Sequence, residues 1–113
     1  MTTKLYSRTD LAFILHAMMQ GSGYWAHFTK IEHTNIEGTD VPKRIELTDV
    51  NEDTPHIVTL NDVAAAIDKV RRGEVKVAPD IRDWILSGEA GMIDADAGDV
   101  LMQTACFGEI QYG

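Results

Sequence analysis

The spacing of apolar residues divides the chain into an early helix, a run of strands and a helical second half. Leu11, Ile14, Leu15 and Met18 recur at helical spacing and make one apolar stripe. Ser7 and Thr9 precede it as N-caps, with Asp10 three residues after Ser7 in a capping-box arrangement, and Gly21 and Gly23 follow as stops. The pattern predicts a helix from about Ser7 to Gln20. Tyr24 to Thr34 is aromatic and β-branched, with Tyr24, Ala26 and Phe28 on one side and Trp25, His27, Thr29 and Ile31 on the other. Asn35 to Pro42 reads as a turn. Arg44 to Val50 alternates, with Ile45 and Leu47 inward and Arg44, Glu46 and Thr48 outward. Asn51 to Pro55 is an acidic loop, and His56 to Leu60 is a third short strand. Three consecutive strands with short connections predict an antiparallel meander.

Thr59 or Asn61 then caps a helix carrying Val63, Ala66, Ile67 and Val70, closed by Arg71, Arg72 and Gly73. Pro79 suits the first turn of a short helix bearing Ile81, Trp84 and Ile85, with Gly88 as its stop. Asp94 or Asp96 starts a last helix through Val100, Leu101, Thr104 and Ala105 to Gly108, and Glu109 to Gly113 reads as an added edge strand. The expected class is α+β: an N-terminal helix, a three-stranded antiparallel meander, then two to three C-terminal helices. At 113 residues the chain is read as one domain.

Composition narrows the function classes. Lys and Arg number 10 against 18 Asp and Glu, a net charge of -8, which repels phosphate backbones and disfavours non-specific nucleic-acid binding. A local cationic pocket for a small anion is still compatible with that field. The single cysteine, Cys106, excludes an intramolecular disulfide. The start of the chain carries Lys4 and Arg8, but the apolar run after them is short and broken by His16, unlike a signal peptide. No segment approaches the ~20 apolar residues of a membrane span. These features predict a cytoplasmic protein. The small core of such a chain leaves apolar surface for a second copy to cover, so a homo-oligomer is expected.

Catalytic and metal signatures fail on spacing. Asp94, Asp96 and Asp99 surround Gly98, but Gly98 and Asp99 stand in reverse order for a calcium loop and Ala105 replaces its bidentate Glu. These acids are better explained as partners of a helix N-terminus. His16, His27, His33, His56 and Cys106 show no ligand-pair spacing, and His27 and His33 lie roughly 20 Å apart along an extended strand. Cys106 in a last helical turn is read as structural, because that end of a helix raises a thiol pKa. No nucleophile elbow, phosphate loop or dinucleotide fingerprint appears. No enzyme activity, cofactor or metal is expected.

One stretch stands apart. Gly21, Ser22 and Gly23 at a helix-to-strand corner are followed at once by Tyr24 and Trp25, then His27. Glycine permits close backbone approach to a ligand, and an aromatic ring offers a stacking face for a base. Lys30 and Arg71, with Lys43, Arg44 and Arg72, are the cations available to meet a phosphate. The competing reading is a helix stop followed by a core strand.

Gly21 to Ala26, Leu60-Asn61-Asp62-Val63, and the ending Asp94-Ala95-Asp96-Ala97 with Phe107-Gly108-Glu109-Ile110 resemble a family of short accessory proteins encoded by actinobacterial phages. That resemblance implies an accessory phage protein, active in the host cytoplasm, rather than a virion part. The family offers no catalytic residues to carry over. Two functions then compete. In one, the protein is a counter-defence sponge that binds a nucleotide-type immune signal at Gly21, Ser22, Gly23, Tyr24, Trp25, His27, Lys30 and Arg71. In the other, acids such as Asp49, Glu52, Asp53, Asp94, Asp96 and Asp99 let it inhibit a host protein by mimicking nucleic acid.

Overall fold

Ser7 starts the first helix, its hydroxyl accepting the Asp10 N–H at 3.1 Å, a cap worth about 1 kcal/mol. The computed structural model describes residues 5–113; residues 1–4, among them Lys4, lie outside the described residues. Helix α1 spans Arg8–Ser22 and buries Leu11, Ile14, Leu15 and Met18, the stripe that the spacing predicts. It runs past Gly21, so the first predicted stop lies inside the helix.

Strands β1 (Ala26–Ile36), β2 (Thr39–Asp49) and β3 (Pro55–Thr59) form an antiparallel sheet in the order β1-β2-β3. The meander is therefore present, and of its two corners only one is tighter than expected. The first is not an eight-residue turn but Glu37-Gly38, both at positive φ (50° and 84°), as a two-residue hairpin matching the strand twist requires. Pro42 consequently sits within β2. It is tolerated there because β3 pairs only with Arg44–Thr48, which leaves β2 a free edge at Pro42.

Two irregularities interrupt the β1–β2 ladder, between Phe28 and Lys30 and between Glu32 and His33. The first inserts Thr29 in β1 and the second inserts Lys43 in β2, so the register recovers. A bulge reverses the facing of the residues beyond it. Ile31 therefore lies in the row of Ile45 and Val58, on the helix-covered side, and not on the face opposite Phe28 as strict alternation predicts. The other sheet face is polar, with Arg44 held between Glu32 and Glu46 at 2.7 Å each.

Helix α2 (Leu60–Arg71) begins with a full capping box between Thr59 and Asp62. Helix α3 (Pro79–Ile85) opens on Pro79 as expected, a 3-10 turn follows at Ala90–Met92, and α4 (Ala95–Phe107) is capped by Asp94 and stopped by Gly108 at φ 74°. Residues Glu109 to Gly113 form no strand. They cross as an irregular strap whose backbone N–H groups bond to the side chain of Gln103. No helix among the described residues is long and apolar enough to cross a membrane.

The core joins Ile14, Leu15 and Met18 of α1, Ile45 and Leu47 of β2, Val58 of β3, Val63 and Val70 of α2, and Leu101 and Met102 of α4. Helices α1 and α4 cross so closely that Gly21 faces the Ala95 carbonyl and Gly98 faces the Ala17 carbonyl, with no room for a Cβ at either.

Candidate functional site

The Gly/aromatic corner is built as scaffold. Gly21 is consumed by the helix crossing. Ser22 is buried and donates its hydroxyl to the Met18 carbonyl at 2.7 Å. Gly23 is exposed, continues the helical backbone (φ −60°), and has open space where a Cβ would go. The Trp25 ring, expected to stack on a base, is 1% exposed. It lies 5.1 Å from Phe107 and 5.6 Å from Tyr112 between centroids, nearly parallel to the latter. This is a correction with a simple cause: Trp25 precedes β1, so its facing follows the turn and not the strand alternation. Tyr24 is 58% exposed, but its hydroxyl is already committed.

That commitment is to Asp99 on α4. The Tyr24 hydroxyl donates to Asp99 Oδ2 at 2.6 Å, and Trp25 Nε1 donates to Asp99 Oδ1 at 2.8 Å. Gln103, one turn on and fully buried, donates Nε2 to the same Oδ1 at 3.1 Å. Its Oε1 accepts the backbone N–H groups of Gln111 and Tyr112 at 2.7 Å each. Partial burial of the phenol, with the Asp99 carboxylate beside it, pushes the Tyr24 pKa up to about 12. Tyr112 in turn donates its hydroxyl to the buried Asp49 at 2.9 Å. Burial pushes the Asp49 carboxyl up, but the Asn51 N–H, the Tyr112 hydroxyl, the Glu52 N–H and nearby His56 outweigh it and hold the carboxyl below its ordinary value.

These bonds absorb much of the acidity considered for nucleic-acid mimicry. Asp49 and Asp99 hold the fold, and Asp94 caps α4 through the Ala97 N–H at 2.9 Å. Glu52 and Asp53 in the β2–β3 loop and Asp96 in the first turn of α4 are left as exposed acids.

Cys106 and His56 flank the same region. His56 packs edge-on to Phe107 at 5.3 Å, and its Nε2 is enclosed without a hydrogen-bond partner among the described residues. Burial, with Asp49 and Asp62 nearby, pushes the Cys106 thiol up to about 12. Such a thiol is the opposite of an activated nucleophile. At pH 8 its reaction with a disulfide reagent is expected to run at least about tenfold slower folded than denatured, because the fall in thiolate fraction outweighs the greater nucleophilicity of a high-pKa thiolate. Comparable rates in a stopped-flow assay would refute the buried, acid-flanked setting.

The remaining expected site residues are not brought together. His27 and Lys30 are exposed on β1, Lys30 beside Glu46 on the polar sheet face. Arg71 ends α2, where its Nε donates to Asp68 at 2.9 Å and Arg72 approaches the other oxygen of the same carboxylate. Arg71 does line a hollow, of about 490 Å³, between the start of α1 and α2. Leu5, Tyr6, Leu11, Ala64 and Ile67 supply its apolar lining, and Arg8, Asn61, Asp68 and Arg71 supply polar groups. Arg8 donates to Asn61 Oδ1 at 3.1 Å, which ties the two helices across it. Arg8 and Asn61 escape a reading of the sequence because they are 53 positions apart. Only folding shows that they meet.

Comparisons with protein-family models, curated proteins and solved structures return no match.

Proposed function

We propose that the protein is a non-catalytic binding module that sequesters a small anionic ligand of the nucleotide type in the hollow between α1 and α2. One observation carries the reading: about 490 Å³ of concave, largely apolar space with both Arg8 and Arg71 in its lining. That volume falls within the usual range for small-molecule sites, where apolar walls supply affinity and a few polar groups supply orientation. Leu11, Ala64 and Ile67 suit the face of a base or another flat apolar body. Arg8 and Arg71 suit a phosphate, since a guanidinium has five N–H donors and the bonds to Asn61 and Asp68 leave others free. With the resemblance to phage accessory proteins, the corresponding role is a sponge that withholds a nucleotide immune signal of the host. Mimicry of nucleic acid is less favoured, because Asp49 and Asp99 point their carboxylates into the fold.

Calorimetry with mononucleotides, cyclic mononucleotides and cyclic dinucleotides tests this. Arg8→Ala or Arg71→Ala is expected to weaken binding by roughly tenfold to a hundredfold, the worth of a charge-assisted contact. Both side chains are exposed, so the fold should persist. A parent protein that binds no member of the panel, or binding indifferent to both substitutions, would overturn the proposal.

A further inference from the structure

Strand β1 is an edge of the sheet among the described residues, and over its eleven residues, Ala26–Ile36, its outer side has no partner. A long edge of this kind invites another strand unless charge or a bulge refuses it. Both devices are present here, in Lys30, Glu32 and the Thr29 bulge. The charges, however, are arranged about Ile31 with opposite signs. In an antiparallel pair of identical strands with its two-fold axis at Ile31, residue 30 of one copy stands opposite residue 32 of the other. Lys30 then meets Glu32 twice.

We infer that the protein forms a two-fold dimer through antiparallel pairing of β1 with β1 of a second copy, centred on Ile31.

The rest of the sheet agrees with this register. Lys30 pairs across β2 with Glu46, and Glu32 with Arg44, so the polar face is already a checkerboard of alternating sign. Arg44 is shared by two carboxylates, Glu32 and Glu46, which leaves Glu32 able to take a further cation. Lys30 of the second copy supplies one and extends the checkerboard across the axis. On the opposite face Ile31, 37% exposed, ends the apolar row of Ile45 and Val58 and would be covered by its own counterpart. A closed two-fold pair also removes the open edge, in keeping with the self-complementary character of such interfaces. Opposite charges facing one another across strands stabilise and like charges destabilise, so this edge favours its own copy in one register.

Analytical ultracentrifugation over a concentration series tests the inference. The parent chain is expected to sediment as a dimer. Lys30→Glu places Glu opposite Glu twice and is expected to weaken dimerisation about tenfold or more. Glu32→Lys does the same with Lys against Lys. Mixing these two single variants restores both complementary pairs, so a heterodimer should form at close to parental strength. A monomeric parent overturns the inference. So does a dimer that ignores both substitutions, or a mixture that stays monomeric while circular dichroism shows both variants folded.

Discussion

Trp25→Ala is expected to cost about 3–5 kcal/mol of stability, the usual range for truncating a buried Trp. For a chain of this size that corresponds to a fall in Tm of roughly 12–20 °C. The substitution removes the ring packed against Phe107 and Tyr112 and also the Nε1–H that Asp99 accepts at 2.8 Å. Near-UV circular dichroism should show loss of the aromatic environment together with the fall in Tm. Trp25→Phe separates the two effects, because it keeps an aromatic ring and leaves Asp99 one donor short. A Trp25→Ala protein that melts within about 4 °C of the parent, under ~1 kcal/mol, would mean that the ring is not part of the core.

The second large effect is expected at the α1–α4 crossing. A Cβ at Gly21 would lie 1.8 Å from the Ala95 carbonyl oxygen, and one at Gly98 would lie 2.4 Å from the Ala17 carbonyl oxygen. Both obstacles are backbone, so the helices themselves must separate. Alanine gains about 1 kcal/mol over glycine from helix propensity, but overpacking of this severity costs about 1–3 kcal/mol or more. Gly21→Ala and Gly98→Ala should therefore each lower Tm, Gly21→Ala the more steeply. Gly23→Ala is the internal contrast, since nothing stands within 4 Å of its Cβ position and its backbone is already helical. It should be neutral or stabilising, by up to about 1 kcal/mol. Equal melting temperatures for all three variants would refute the close crossing.

Both sites mark where a reading of the sequence succeeds and where it stops. Element types follow from local chemistry: the α1 stripe, the Thr59 cap, Pro79 and Gly108 all act where they stand. Glycine is the instructive failure. Gly21 reads as a helix stop, yet its function is to admit a second helix that begins more than 70 positions later. Trp25 reads as a stacking platform because it follows a glycine corner, and as a strand residue facing the same way as His27; the turn before β1 breaks that alternation and buries the ring. Asp99, Gln103 and Tyr112 carry no local signature as a group, although the i, i+4 pair Asp99 and Gln103 places two polar residues on one face of a mostly apolar helix. Arg8 and Arg71 are each legible as cations, but their companionship is not, since the hollow they share is a product of helix packing.

The α1–α4 crossing also orders events during synthesis. Helix α1 leaves the ribosome with Ile14, Leu15 and Met18 uncovered, and the backbone that fits Gly21 arrives only with Ala95 and Asp99. The sheet and α2 can shield part of that stripe earlier, but the tight glycine contact must wait for the last helix. A nascent chain halted before Ala95 should therefore hold a loosely docked first helix, and this species would recruit chaperones or succumb to proteases.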